Sequence, residues 1–534
     1  MFFPAEVVEV LPGQSVKTKL TGDETTDMLN TACKRPHPNA LAIQQHGRAV
    51  LGLDDPFLQK FKIKVGPELL SIVARELMAP KVQYGRGQGQ SKTANNGSWN
   101  LASVNFFKPK SAQSWAAVQV NTGRNQDEAD WVADFRREIE KTGVKLPAKQ
   151  RPDAMVGRPN QLHAIFEKHA GHSVIIFCFY DREDKTGDFY QQIKYLGDCV
   201  YGVQTICIVY NKFIKFNKFE GTTGPDSQYA ANIALKLNLK LGGVNHKLSQ
   251  DLELIRDGKT MIVGYDVTHP TNMPAGKADS APSLVGIVAS VDSDLAQWPS
   301  ETWEQSSRQE MLSGQLVQAF INRLARWRKA NPKPPENIII YRDGVSEGQF
   351  SQVLNVELPM IREACQKSYN AGSAPKITLI ISVKRHQTRF YPTQVREAFR
   401  GKPANPNIKP GTVVDRGVTQ ARYWDFFLAA HEALQGTTRP AHYTVLLDEV
   451  FRDKYRERAA DQLQKMTHEL CYLFGRATKA VSICPPAYYA DIVCERSRLH
   501  RPHFFGDETS ERSGSSQGQG ISIHARIADS MYYL

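Results

Sequence analysis

Two stretches of this chain run through apolar residues into an aspartate, and they constrain the fold more than anything else in it. In Lys259 to Pro270, KTMIVGYDVTHP, residues Met261, Val263 and Tyr265 fall on one face of an expected strand, and Ile262, Gly264 and Asp266 on the other. Asp266 thereby arrives at a strand end beside an apolar sheet, where a carboxylate asks for a cation. Ile338, Ile339 and Ile340 lead in the same way through Tyr341 and Arg342 to Asp343, with Gly344 next. An aspartate after a strand is commonly a turn or cap residue. Two such ends in one chain point to a single shared site.

At 534 residues the chain is too long for one ordinary domain, so two or three units are expected. Lys and Arg number 67 against 55 Asp and Glu, giving a net charge of +12 and a pI near 9.1. That balance favours polyanionic partners, nucleic acid before membrane surface. No apolar run approaches the roughly 18 residues of a spanning helix, and the opening MFFPAEVVEV carries charges where a secretory signal would be apolar. The eight cysteines, at 33, 178, 199, 207, 365, 471, 484 and 494, form no C-x-x-C pair. Neither a zinc knuckle nor a disulfide framework is indicated, and a reducing, cytoplasmic compartment fits.

The first 80 residues or so read as a linker layer with helix-like segments such as Pro67 to Leu77. Gly85 to Gly97, GRGQGQSKTANNG, has the composition of an exposed excursion that cannot bury enough apolar area to order itself. From Trp99 to about Gly243 strands and helices alternate. The strands are Trp115 to Val120, Val174 to Phe179 and Gly202 to Val209; the helices are Asp127 to Thr142 and Phe189 to Leu196. This is the pattern of a small α/β domain, closed by Gly242-Gly243. A second α/β domain follows from about Leu252, with a helix whose apolar face runs through Leu312, Leu316, Phe320, Leu324 and Trp327. Ser510 to Gly520 is a further low-complexity loop. Tyr190 and Lys194 stand four apart on one expected helix, Lys236 and Lys240 on another, so each pair shares a face. Two such faces meeting would offer three ammonium groups and a phenol hydroxyl to a terminal phosphate. The same spacing also describes a solvated helix surface.

YDVTHP at 265–270, YRDGVSEGQF at 341–350, VKRHQTRF at 383–390, PPAYYADIV at 485–493 and KLNLKLGGVN at 236–245 resemble blocks of the eukaryotic Argonaute family, nearest a fungal, quelling-type member. The resemblance covers nearly the whole chain. It implies an α/β protein in three parts: residues 1–80 a second linker, 81–250 a Rossmann-like MID domain that binds a guide's 5′ end, and 251–534 an RNase H-like PIWI domain. The family's N-terminal and PAZ domains are not represented, so the chain is expected to be the C-terminal portion of a longer protein.

The resemblance further implies guide-directed cleavage of RNA. Asp266 and Asp343 take the places of the two strand-borne catalytic aspartates, Glu310 in SSRQEML that of the mobile glutamate, and Asp491 in YYADIV that of the fourth residue, histidine in many animal members. Asp266, Asp343 and Asp491 are the implied ligands of Mg²⁺ or Mn²⁺. Hard carboxylate oxygens suit such ions, and without metal the clustered carboxylates would repel one another. Glu304 is the next candidate should Glu310 not serve. Asp448 and Glu449, at the end of TVLLDE, look at least as catalytic on local pattern, but the tyrosine pair before Asp491 and Arg496 five residues after it select Asp491.

Tyr190, Lys194, Lys236 and Lys240 match the family's pocket for the guide 5′ phosphate, the tyrosine stacking on the first base, and Arg496 matches an arginine that reaches the guide phosphates. Where the family often has glutamine, Ile206 precedes Cys207, leaving Thr205 or Gln204 to supply that hydrogen bond. Lys384, Arg385 and Arg389 are expected in a channel that reads A-form backbone rather than bases. The implied partners are a guide small RNA, a complementary target RNA and silencing-complex proteins. A guide-binding scaffold that does not cut is the alternative; an unguided RNase H-like nuclease or transposase relative would keep the carboxylates but have no use for the phosphate pocket.

Overall fold

The computed structural model describes residues 9, 13, 20–121, 131–181, 188–217, 221–250, 252–270, 281–394, 406–505 and 521–534. The Ser510 to Gly520 loop lies outside them. The chain divides into two units, one of residues 1–71, 389–408 and 433–438, the other of 72–388, 409–432 and 439–534.

The first unit is helical. Helix Gly22–Ala32 opens on Thr21, whose side chain caps it reciprocally with Glu24. Asp55 accepts the Phe57 N–H to start Pro56–Lys60. Within this unit Asn39 donates to the Tyr391 hydroxyl at 3.0 Å and Thr437 to the Lys34 carbonyl at 2.9 Å.

The second unit holds two principal sheets. The smaller is wholly parallel, its strands ordered Ala154–Val156, Trp115–Val120, Val174–Phe179, Gln204–Val209. Every residue of the last three is buried, as expected of parallel strands covered on both faces. The larger sheet has nine strands. Asn337–Asp343 lies in its interior between Thr260–Thr268 and Lys376–Val383, parallel to both, and antiparallel strands extend it on either side. In the register Ile262 faces Ile339 and Tyr265 faces Arg342, so the two aspartate-bearing strands lie side by side and run the same way. Met261, Val263, Tyr265 and Ile340 sink into one core with Leu316, Phe320 and Trp327, while Ile262 and Ile339 enter another. The alternation expected along the Asp266 strand is therefore the one observed.

Three sequence expectations are corrected. Pro67 to Leu77 is not helical: it is extended, and Arg75–Glu76 joins the edge of the large sheet against Thr412 and Val413. Its leucines resemble a helical pattern, but the sheet edge offers its backbone a ladder. Gly85 to Gly97 is no free excursion. Ser91–Thr93 pairs with Lys81–Gln83, the Gly85 N–H bonds the Asn105 carbonyl at 2.7 Å, and flanking Trp99 donates to the Tyr84 hydroxyl at 2.7 Å. The anchors are backbone groups and flanking aromatics, which composition does not register. Leu312 precedes the helix assigned to it, which runs Gln315–Ala330.

Helix Pro485–Leu499 lies across the Asp266 strand and its neighbour Ser283–Ala289. Two glycines permit the approach. A Cβ on Gly264 would run into the Pro486 carbonyl, and one on Gly286 would sit 2.7 Å from the Ala490 carbonyl oxygen and 3.0 Å from Cys494 Sγ. Gly286 is the register partner of Asp266, so the helix passes directly over the carboxylate strand. Gly264→Ala and Gly286→Ala should each lower stability by on the order of 1–3 kcal/mol, since backbone cannot yield as a side chain does. Gly348→Ala, whose added methyl meets nothing within 4 Å, should not. Thermal unfolding of the three variants checks this.

Candidate carboxylate centre and cation-lined cavity

Asp343 is the last residue of its strand and Asp266 stands two residues before the end of the neighbouring one. Gly344 follows at φ +83°, a conformation that favours glycine. A Cβ there would come 3.7 Å from Asp266 Oδ1, so the turn after Asp343 closes over the other aspartate. Asp491, in the middle of the crossing helix, completes the group. Burial pushes the Asp266 carboxyl up, with nearby Glu310 adding to the shift and Arg342 opposing it. Burial, then Asp266 and Asp491, drive Asp343 well above the usual range. Burial and then Asp266 raise Asp491 to about 6 against the pull of Arg385 and Lys384.

Among the described residues no three Asp, Glu, His or Cys side chains close into a coordination shell as they stand. The three carboxylates, Asp266 buried and the others half-buried, nevertheless form a group in which burial and mutual repulsion outweigh the nearby Arg342, Lys384 and Arg385, the donor chemistry that a hard dication matches.

Glu310 is held differently. Its Oε1 accepts from Arg342 Nη2 at 2.7 Å, its Oε2 lies 2.8 Å from His269 Nε2, and its carbonyl accepts from Arg342 Nη2 at 2.9 Å. His269 Nδ1 in turn lies 2.9 Å from Ser283 Oγ. Burial works to raise the Glu310 carboxyl, but the His269 and Arg342 hydrogen bonds and charges outweigh it, so the group sits below its ordinary value. Unlike Asp266, Asp343 and Asp491, it is shifted toward its ionised form.

The competing acids are otherwise engaged. Asp448 accepts from Thr378 Oγ1 at 2.7 Å and from the N–H groups of Phe451 and Arg452 at 2.9 and 2.8 Å, which makes it a cap. Glu449 accepts from the Ile377 N–H and from Arg362, each at 2.9 Å, and Glu304 from Arg501 at 2.6 Å.

A cavity of about 310 Å³, within the range of small-ligand sites, opens between the helices bearing the lysines and the far side of Pro485–Leu499. Tyr190, Lys194, Thr205, Lys236 and Arg496 line it, with Ile206 and Arg476. Lys194, on helix Asp188–Tyr195, lies 5.3 Å from the Tyr190 ring centroid and donates to Thr205 Oγ1 at 2.8 Å. Lys240 is not in the lining: it is buried and turned to the Tyr532 carbonyl and to Gln204 Oε1. Arg496 Nη1 donates to Asp198 Oδ2 at 2.9 Å, and Nη2 to the Tyr533 and Leu534 carbonyls at 3.2 Å.

Burial lowers both buried lysines, Lys240 strongly because Arg496 and Lys194 add to it. Burial acts to raise Asp198, yet Arg496, His500 and Lys240 hold it far below the usual range. Asp198 and His500, 2.9 Å apart, were missed in the sequence. The available signal was Asp198 standing four residues after Lys194, on the same helical face. Lys384 and Arg385 act on Asp491 electrostatically, whereas Arg389 belongs to the other unit.

A model of the Piwi domain matches residues 175–501, more than half of the chain, and one of the Argonaute linker 2 domain matches residues 38–84. Protein argonaute 1D of Oryza sativa subsp. japonica is 32% identical over 557 residues, covering 99% of this chain and 51% of the relative. Protein argonaute 5 of Arabidopsis thaliana is 32% identical over 564 residues, covering 99% and 53%. The chain thus spans about half the length of these relatives. Among solved structures, Kluyveromyces polysporus Argonaute with a guide RNA superposes at a TM-score of 0.77 and 25% identity, over 99% of this chain and 64% of that one. The MID-PIWI domains of N. crassa QDE-2 superpose at 0.56 and 32%, over 80% and 98%.

The raised Asp491 carboxyl has a stability consequence. A folded pKa near 6, above the unfolded value near 4, means the fold binds that proton more tightly. The stabilisation is full below about pH 4 and is lost as pH rises through about 6. Asp491→Asn should therefore melt higher than the parent at pH 7.5, by on the order of 1–2 kcal/mol, with the advantage gone at pH 4.5. Melting curves at the two pH values read it directly.

Proposed function

Because the chain belongs to the Argonaute family through its Piwi domain, we propose that it is a small-RNA-guided silencing protein that binds the 5′-phosphorylated end of a guide RNA and cleaves the complementary RNA by metal-dependent hydrolysis. One observation carries the reading. Helix Pro485–Leu499 bears Asp491 beside the strand aspartates and, five residues on, Arg496 in the cation-lined cavity. An unguided nuclease needs only the first of these. The proposed parts are the second linker over 1–80, the MID domain over 81–250 and the PIWI domain over 251–534. The small parallel sheet within 115–209 and the large sheet, most of it beyond residue 260, support that division.

In this reading Lys194, Lys236 and Arg496 face the guide's terminal phosphate, with Lys240 behind them, Thr205 orients Lys194, and Tyr190 offers its ring to the first base. Asp266, Asp343 and Asp491 would hold Mg²⁺ or Mn²⁺, which when bound supplies activation of the attacking water and stabilisation of the departing 3′ oxygen. Glu310, seated on Arg342 and His269, supplies a fixed anionic oxygen at the edge of that group. Target RNA and silencing-complex proteins complete the proposed partners, in a reducing, cytoplasmic setting supported by eight cysteines that form no disulfide among the described residues. We also propose a fungal, quelling-type kinship, supported by the five sequence blocks and the 32% identity to the N. crassa domains; the plant relatives stand at the same 32%.

Incubating the guide-loaded chain with complementary RNA and Mg²⁺ should give one cut, lost on chelation and with Asp491→Ala but kept with Asp448→Ala. Guide binding without any cut favours the scaffold alternative. Lys194→Ala should weaken a 5′-phosphorylated guide by about 1.5–3 kcal/mol, roughly tenfold or more, and leave a 5′-hydroxyl guide nearly unchanged. Equal losses for both guides would return the lysine to a general basic surface. Without RNA, Mg²⁺ should raise the melting temperature of the parent and not of Asp266→Asn.

A further inference from the structure

Behind the seat of Glu310 lies a second carboxylate with no part in the reading above. Glu357 is fully buried. Its Oε2 accepts from the Tyr265 hydroxyl at 3.0 Å and from Arg342 Nε at 3.4 Å, and its Oε1 accepts the backbone N–H of Leu312 at 3.1 Å. Arg342 is the residue whose Nη2 binds both the side chain and the carbonyl of Glu310. Leu312 comes two residues after Glu310. Glu357 therefore grips the Glu310 seat and the backbone just beyond Glu310 at once, one with each oxygen.

The local backbone explains why a glutamate points inward there. Between the helical turn Phe350–Gln352 and the helix Leu358–Ser368, residues Val353–Glu357 form a wide π turn. Pro359 sits at the start of the second helix. It has no N–H to give the carbonyl four residues back, at Asn355, and its ring crowds that carbonyl, so the helix widens. Glu357 is the last residue of the widened turn. The loop it holds is otherwise tense: Arg308 is exposed and adopts φ +59°, a conformation costly for a side-chain-bearing residue. Such a loop stays in place only if its neighbours fix it.

We propose that Glu357 is a positioning residue for Glu310, fixing the Arg342 guanidinium that binds the Glu310 carboxylate and the Leu312 N–H that ends the Glu310 loop. The catalytic meaning of that position rests on the function proposed above; the positioning itself does not. It predicts that loss of the Glu357 charge frees the loop while leaving the rest of the fold intact.

Trypsin reads this without RNA or metal, because Arg308 lies in the loop. Glu357→Gln keeps the size but removes the charge and replaces one of the two acceptor oxygens, both of them in use, by an amide NH2. It should raise the rate of cutting after Arg308 about fivefold, with cutting after the exposed Arg416 unchanged and the melting temperature within about 2 °C of the parent. Glu310→Ala should loosen the same bond, and the double variant should be no faster than the quicker single one, because both act through one seat. Should Glu357→Gln fail to fold, Tyr265→Phe, which removes only the hydroxyl on Glu357, should still raise cutting after Arg308 about twofold.

Unchanged cutting after Arg308 in these variants, or faster cutting at both arginines alike, overturns the proposal. With a guide and target, Glu357→Gln should slow cutting about tenfold at unchanged guide affinity. If the parent makes no cut, the functional reading fails while the protease result still decides the positioning.

Discussion

The close approach of helix Pro485–Leu499 to two strands, at Gly264 and Gly286, is the contact on which the remainder of the second unit depends. There the helix meets strand backbone with no side chain between them. That contact sets the depth of the helix, and so the height of Asp491 above Asp266 and Asp343 on one side and of Arg496 beside the cavity on the other. It also explains how three mutually repelling carboxylates are held close together. The crossing helix and both strands are packed on well-filled cores, and that rigidity holds together what mutual repulsion would separate.

Arg342 and Asp198 show two opposite ways of handling buried charge. Arg342 is a cation among acids: fully buried, it meets Glu310 and Glu357 and faces the Tyr265 ring at 5.4 Å. Asp198 is an acid among cations, with Arg496 and His500 on the same oxygen. Arg342 helps to hold Glu310 below its ordinary value, and Arg496 does the same for Asp198, each against the effect of burial. The strand aspartates feel Arg342 as well, but burial outweighs it and both carboxyls stay raised, and this contrast is what singles them out chemically.

Much of this was legible in the sequence because strand periodicity is local. The faces of Met261 to Asp266, the isoleucine strand to Asp343, and the i, i+4 pairing of Tyr190 with Lys194 all follow from a few adjacent residues. What escaped was set by distant partners. Pro67 to Leu77 takes its form from a strand more than 300 residues later, and Gly85 to Gly97 from backbone anchors. Lys240 shares a helical face with Lys236 but reaches the Tyr532 carbonyl, a partner almost 300 residues away. Asp448 reads like Asp491 until its oxygens are seen to be taken by the Thr378 hydroxyl and the N–H groups of Phe451 and Arg452. The roles of Glu357 and Asp198 depend on which residues meet across elements, and one-dimensional pattern does not carry that information.

The crossing helix has a consequence for how such a chain can diverge. Five residues at about 1.5 Å each place Asp491 and Arg496 on a rod of fixed length, and the rod is seated on backbone. Neither site can then be retuned by sliding or tilting the helix, because any shift displaces the other by a comparable amount. Variation is confined to exchanging the side chains that the rod presents, so the two sites inherit a common frame of reference even where their chemistries change independently.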